Sequence, residues 1–237
     1  MQPGLPTVQG LLIAAAERVL GAPVKITGAS RTDAGVHALR QVASLATSSP
    51  MAPAALRRAL NALLPPAVRV TAAGEAPAGF DARRWARGKR YVYLIDRGPQ
   101  ADPFRRRHAW HAPFALDAAA MAAGLRTVRG KHDFSAFCAA AGRERTPTCT
   151  VRSARVVARR HLLAVCLSAD SFLHHMVRNI VGSLVEVGRG ARPPGWIPEL
   201  LDGRDRTRAG PTAPPEGLFL VRVLYESAGT TPAGAAS

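Results

Sequence analysis

The segment Gly28-Ala-Ser-Arg-Thr-Asp-Ala-Gly-Val-His37 places a cation, a hydroxyl and one carboxylate (Arg31, Thr32, Asp33) between two glycines. A carboxylate held in such a connector can act as a nucleophile or as a general acid/base, and glycines at 28 and 35 permit backbone conformations closed to other residues. The competing reading is a solvated turn in which Asp33 bonds its own backbone. Arg178 is the second candidate. It lies in Phe172-Leu-His-His-Met-Val-Arg-Asn-Ile-Val-Gly182, beside an apolar stripe of Leu173, Val177, Ile180, Val181 and Leu184, where an unpaired charge is costly. A carboxylate partner would offset that cost, and Asp33 is the candidate; the alternative is an arginine whose head reaches water. The third is Arg83-Arg-Trp-Ala-Arg-Gly-Lys-Arg-Tyr-Val-Tyr93. From Arg83 to Arg107 there are nine basic residues and two acidic ones. Tyr91 and Tyr93 alternate with Val92, so both face one side of a strand. Basic residues interleaved with aromatics suit phosphates and unstacked bases, although a tyrosine pair also suits a core.

Other chemistry finds little support. His108-x-x-His111 and His174-His175 come without cysteine or carboxylate ligands at familiar spacing, so no metal is expected. Phosphate loops of the G-x-x-x-x-G-K-[ST] type, G-x-G-x-x-G and G-x-S-x-G are all absent, which argues against nucleotide cofactors and serine hydrolysis. Cys138, Cys149 and Cys166 are three, with no C-x-x-C spacing, so neither a disulfide framework nor a zinc knuckle is indicated.

The elements that must position these residues fall into two similar halves. A helix is expected from Val8, with Thr7 as N-cap and Gly21 as stop, then strands at Val24–Gly28 and Leu39–Leu45. A second helix begins at Pro53 and ends at Pro65-Pro66, and Val68–Ala73 reads as a strand. The later half reads as a strand at Arg90–Asp96, a helix at Leu116–Val128, strands at Val151–Ala158 and Leu162–Ala169, a helix at Phe172–Val187 and a strand at Leu218–Tyr225. That order is βαββαβ, the split unit of ferredoxin-like folds. The first half follows the same order without its leading strand, which suggests an N-terminal truncation. The expected fold is therefore α+β: two ferredoxin-like halves with mixed or antiparallel sheets, joined around a basic RNA-binding cleft. The lobes are placed at residues 1–80 and 81–226, followed by a disordered tail at 227–237.

Composition agrees with an anionic partner. Of the 237 residues, 47% are hydrophobic and 20% charged, the profile of a globular chain. Lysine and arginine number 32 against 16 acidic residues, a net charge of +16, and only Lys25, Lys89 and Lys131 are lysines. Arginine's planar fork suits phosphate, whereas a GC-rich coding sequence also favours arginine over lysine; the sign and size of the imbalance still point to a polyanion. The apolar run Leu11–Ala16 is too short to cross a membrane and no basic leader precedes it, so the cytoplasm is the expected location.

Ser30-Arg-Thr-Asp-Ala-Gly-Val-His37-Ala closely resembles the G-R-T-D-A-G-V-H-A signature of the TruA family of tRNA pseudouridine synthases. Thr7-Val-Gln-Gly10, Asn61-Ala-Leu-Leu-Pro65, Arg90-Tyr-Val-Tyr93, His132-Asp-Phe-Ser-Ala-Phe137, Phe172–Gly182 and Gly217-Leu-Phe-Leu220 resemble further family segments in the same order. The resemblance implies conversion of uridine to pseudouridine in the anticodon stem-loop of tRNA, at positions 38, 39 and 40, with no cofactor or metal, by a homodimer. It implies that Asp33 is the catalytic carboxylate, either attacking the uridine to form an adduct or assisting glycosidic cleavage. Tyr91 would stack on the target base, Arg178 would pair with Asp33, Arg31 would help hold the place of the flipped nucleotide, and Leu218 or Leu220 would line the uracil pocket. Two positions depart from the family pattern. Ser30 stands where glycine is usual, which would restrict the backbone before Arg31, and Asp81 stands where histidine is usual.

Two rival functions use the same residues. A non-catalytic RNA-binding protein would exploit the basic charge, but phosphate binding gains nothing from a carboxylate in a positive groove. A hydrolase with Asp33 as general acid/base would lack the second carboxylate or the metal ligands such chemistry needs.

Overall fold

A computed structural model describes residues 7–139 and 146–226, so the tail expected at 227–237 lies outside the described residues. In chain order the elements are α1 (Val8–Leu20), β1 (Ile26–Gly28), β2 (His37–Ala38), β3 (Ala43–Leu45), α2 (Pro53–Leu63), β4 (Gly88–Asp96), β5 (Trp110–His111), α3 (Ala118–Arg126), β6 (Gly130–Asp133), β7 (Thr148–Arg159), β8 (Leu162–Ala169), α4 (Met176–Gly188), α5 (Trp196–Gly203) and β9 (Leu218–Leu224). They belong to an α+β fold whose described residues divide into two compact units. One contains residues 7–31, 42–86 and 225–226; the other contains Thr32–Gln41 and Arg87–Leu224.

In the first unit α1 starts and stops where its sequence signals place it. The Thr7 side chain accepts a hydrogen bond from the Gly10 N–H, and Gly21 closes the helix at φ +67° with its own N–H on the Glu17 carbonyl. Pro53 supplies the first turn of α2, where a missing N–H costs nothing. β1 and β3 pair antiparallel, with Ile26 opposite Leu45 and Gly28 opposite Ala43. The buried core here is small: Ala15, Ala16, Ile26, Leu60 and Leu64, with Leu11, Leu12, Val19 and Leu56 packed around it.

The strand expected at Val68–Ala73 does not form. Its backbone is held by side chains instead: the Asn61 amide donates to the Val70 carbonyl and accepts from the Val70 N–H, both at 2.8 Å, and Arg57 Nη1 donates to the Thr71 carbonyl. A carboxamide presents one donor and one acceptor in the geometry of a peptide, so Asn61 stands in for one rung of a ladder. Asp81 has a local role of the same kind. Its Oδ1 accepts from the N–H groups of Arg83 and Arg84, and these bonds, led by that from Arg84, lower its pKa. The Tyr225 hydroxyl donates to the carbonyl of Ala82 in the same turn, and burial pushes that phenol up to about 12.

The second unit is built on one mixed sheet in the order β2–β9–β4–β8–β7–β6, with β5 on β4. β4 runs antiparallel to both β8 and β9, β7 and β8 are antiparallel neighbours, and β2 lies parallel to β9. The hydrophobic alternation of β4 buries Tyr91, Tyr93 and Ile95 on one face. Opposing them are α3, α4 and α5, which contribute Met121, Leu125, Met176, Ile180, Leu184 and Ile197, all fully buried. α4 begins four residues later than the periodicity predicts. His175 adopts φ +61°, ψ +4°, the left-handed region, so the helical hydrogen bonding cannot extend back to Phe172.

A candidate active site around Asp33

The connector that carries Asp33 is seated on the second unit's sheet through β2. His37 and Ala38 pair with Phe219 and Leu220 of β9, the Leu39 N–H donates to the Leu220 carbonyl, and the His37 ring stacks on Phe219 at 4.7 Å. Just before β2 the Val36 N–H donates to the Asp33 carbonyl, closing a turn that leaves the Asp33 side chain about one-third exposed. Gly35 is required in that turn: it sits at φ +82°, and a Cβ there would lie 3.0 Å from Pro215. Gly28 is a different case, being an ordinary strand residue outside the left-handed region, where a Cβ would meet only the Ser30 carbonyl at 3.8 Å. Ser30, expected to restrict the loop, is likewise absent from the described residues with positive φ, so its Cβ is tolerated without strain.

Three cationic or imidazole groups converge on the Asp33 carboxylate. Arg178 Nη1 and His175 Nε2 each lie 3.1 Å from Oδ2, and His174 Nε2 lies 3.5 Å from Oδ1. The left-handed backbone at His175 brings the two adjacent rings together with centroids 3.9 Å apart, both facing the same acid. Burial lowers the His175 pKa by disfavouring its charged form; the Asp33 carboxylate opposes this, while His174, Arg178 and Arg206 reinforce it. The His174-His175 pair therefore has the neighbouring carboxylate that local sequence spacing does not reveal.

Arg178 does not send its head to water. Its side chain is only 12% exposed, and Nε donates to the Ala213 carbonyl at 2.7 Å while the Ala213 N–H donates to the Arg178 carbonyl. One planar guanidinium thus grips the acid and a backbone carbonyl together. The strap that supplies Ala213 is fastened to α4 at the next turn. Asn179, fully buried, donates to the Phe137 carbonyl and accepts from Arg206 and the Thr212 hydroxyl; Ser183 accepts from the Gly210 N–H. Gly182 makes the close approach possible, because a Cβ there would collide with the Pro211 carbonyl.

The apolar residues singled out by sequence lie in the same unit. Tyr91 pairs across the sheet with Leu220 and Leu167, and Tyr93 pairs with Leu218, so these side chains share one sheet face. Tyr91 is buried and meets the Phe172 ring edge-on at 4.9 Å, two residues before His174. Tyr93 is a core residue: its hydroxyl donates to the Pro214 carbonyl, and burial raises its pKa strongly. Leu218 and Leu220 are both buried. Arg31 is exposed and belongs to the first unit.

Comparison with known proteins identifies the family of the chain. The chain matches the model of the tRNA pseudouridine synthase family over residues 2–83 and 125–226. It is 43% identical to tRNA pseudouridine synthase A of Myxococcus xanthus over 226 residues, covering 95% of this chain and 85% of that protein. It is 41% identical to tRNA pseudouridine synthase A of Ralstonia nicotianae over 240 residues, covering 100% and 88%. The chain belongs to the tRNA pseudouridine synthase family.

Within this family member, the basic stretch between the two matched segments carries an exposed aromatic. Phe104 is 90% exposed and is followed by Arg105, Arg106 and Arg107. The turn is fixed from below: Asp102 accepts from the Phe104 N–H and pairs with Arg105 at 3.1 Å, and Asp96 lies 3.7 Å from the same guanidinium. The segment joins the Asp33 connector where His37 Nε2 donates to the Arg107 carbonyl at 2.7 Å. On the other side of the site, Asp170 accepts from the N–H groups of Thr150 and Ser171 and anchors the chain that leads to His174. Burial alone would raise the pKa of Asp170, but these hydrogen bonds outweigh it and the net direction is down. Among the described residues no helix is long and apolar enough to cross a membrane.

Proposed function

We propose that this synthase converts uridine to pseudouridine in the anticodon stem-loop of tRNA, at positions 38, 39 and 40, with Asp33 as the catalytic carboxylate. The observation that carries the reading is the Asp33 carboxylate held 3.1 Å from Arg178 at the end of a connector that matches the family signature. A carboxylate that attacks the uridine or assists glycosidic cleavage acts in its ionised form, and the Arg178 guanidinium pairs with it. The target nucleotide has to leave its stack, at a cost of about a few kcal/mol, before it reaches such an acid. Arg31 and the basic segment from Arg83 to Arg107 offset that cost by gripping phosphates. Tyr91 stacks on the base, and Leu218 or Leu220 lines an apolar wall that binds the ring while leaving it free to turn. No cofactor or metal takes part, the active form is a homodimer, and the enzyme works in the cytoplasm with its substrate. The strand order β9–β4–β8–β7, all antiparallel, supports a ferredoxin-like second lobe within residues 81–226.

Single-turnover pseudouridine formation on an unmodified tRNA transcript tests this reading. Wild type yields pseudouridine in the anticodon arm, and Asp33→Asn yields none while still binding the tRNA. Product formation by Asp33→Asn at the wild-type rate refutes the assignment, and binding by both proteins without product favours a tRNA-binding module.

A further inference from the structure

The three side chains that meet at the acid are two imidazoles and a carboxylate, a donor set that suits borderline divalent ions. All three offer a ligand atom, and these atoms lie within 4.8 Å of one another. For bonds of about 2.0–2.2 Å in a tetrahedral site, neighbouring ligand atoms lie about 3.3–3.6 Å apart. His174 Nε2 lies 3.5 Å from Oδ1, within that range, and His175 Nε2 lies 3.1 Å from Oδ2, a small movement short of it. Arg178 leaves room for an ion: it approaches Oδ2 alone and is tied by Nε to the Ala213 carbonyl, so Oδ1 presents an edge toward His174. His174 and Asp33 are 39% and 35% exposed, which gives an ion a path from solvent, whereas His175 is more sheltered. His175 adopts a left-handed backbone at φ +61°, and what that strained conformation secures is the convergence of both rings on one acid.

We propose that Asp33, His174 and His175 form a reversible site for one borderline divalent transition-metal ion of the Zn2+ or Co2+ class, and that its occupancy blocks the Asp33 carboxylate. The site is inhibitory: the guanidinium of Arg178 beside the same carboxylate repels a second cation and keeps the ion exchangeable. The blocking step rests on Asp33 being the catalytic group, as proposed above; the binding step does not.

The experiment titrates the purified full chain, without tRNA, with ZnCl2 by calorimetry and with CoCl2 by visible absorption. Wild type takes one ion per chain, and loss of a ligand in Asp33→Asn or in the double variant H174Q/H175Q weakens Zn2+ binding by about tenfold or more. His174→Gln alone, at a more exposed position, gives the same direction and serves if the double variant unfolds. Zn2+ affinity within about threefold of wild type in all of these variants, or no binding by wild type, overturns the site. In a second arm, Zn2+ slows single-turnover pseudouridine formation by wild type and EDTA restores it. If Zn2+ binds through these residues yet leaves turnover unchanged, the blocking step falls, and the catalytic role of Asp33 is decided separately by the Asp33→Asn assay. If Zn2+ does not bind while Asp33→Asn is inactive, the site falls and the catalytic reading stands.

Discussion

Replacing Arg178 tests how much of the activity rests on one guanidinium. At an effective dielectric of about 20, opposite charges 3.1 Å apart attract by about 5 kcal/mol before desolvation and screening. About one-third of the Asp33 side chain faces solvent, so the net worth falls toward the roughly 1.5–3 kcal/mol of a hydrogen bond to a charged group. Arg178→Met removes that interaction and the Nε bond to Ala213, but not the backbone bond from the Ala213 N–H. The single-turnover rate at saturating enzyme should therefore fall roughly 10- to 150-fold, at 1.36 kcal/mol per tenfold. Because Arg178 is buried beneath the acid, tRNA affinity should change by less than about threefold. Arg178→Lys keeps the charge, yet one ammonium cannot hold both the acid and the Ala213 carbonyl, so it should fall between wild type and Arg178→Met. A rate for Arg178→Met within about threefold of wild type, or a loss confined to tRNA affinity, would refute the reasoning.

Three further outcomes follow from other parts of the fold. Gly182→Ala drives a methyl into the Pro211 carbonyl, so urea unfolding should shift by about 1–3 kcal/mol or more; an unchanged midpoint would mean that the strap does not sit on α4. Phe104→Ala should leave the thermal midpoint where it is, since the ring is 90% exposed, and weaken tRNA binding by the roughly 1–3 kcal/mol of one stacked base. Equal affinity in filter binding would remove that ring from the RNA contact. Asp170 has a lowered pKa in the fold, so its stabilisation is present above the ordinary value of 3.8 and is lost as pH falls below it. Asp170→Asn should accordingly show a flatter fall in thermal midpoint on acidification below about pH 4 than wild type, as followed by circular dichroism.

The reach of the sequence can be judged at particular residues. Asp33 was legible because its connector has an uncommon mixture of residue types, and Arg178 because a charge beside an apolar stripe demands a partner; both demands are met by one contact, between residues 145 positions apart. Tyr91 and Tyr93 were legible as one face of a strand, but which of them is core and which meets Phe172 depends on the neighbouring strands. The helix start was placed too early because periodicity continues it through Phe172-Leu-His-His, whereas the packing holds His175 in a left-handed conformation that propensity does not foresee. Val68–Ala73 has the composition of a strand, yet a strand needs a backbone partner, and Asn61 supplies a side chain in its place. The Asn179–Arg206–Thr212 network had no sequence signal, since a buried asparagine is recognised only once its partners are in place.

The parallel pairing of β2 with β9 has a consequence for synthesis on the ribosome. His37 and its partner Phe219 are separated by roughly 180 residues, and Asp33 is held in place through that pairing and through Arg178. At about 5–20 residues per second, some ten to forty seconds pass between the emergence of the acid and the emergence of the strand that seats it. During that interval β4 has no β9 along its edge, and the connector carries its carboxylate without a socket. With Asp33 as the proposed catalytic group, competence is among the last properties this chain acquires, and a nascent chain stalled before Leu218 should be inactive on the RNA that surrounds it. The long loop that must close also places the site's assembly among the slow steps of refolding.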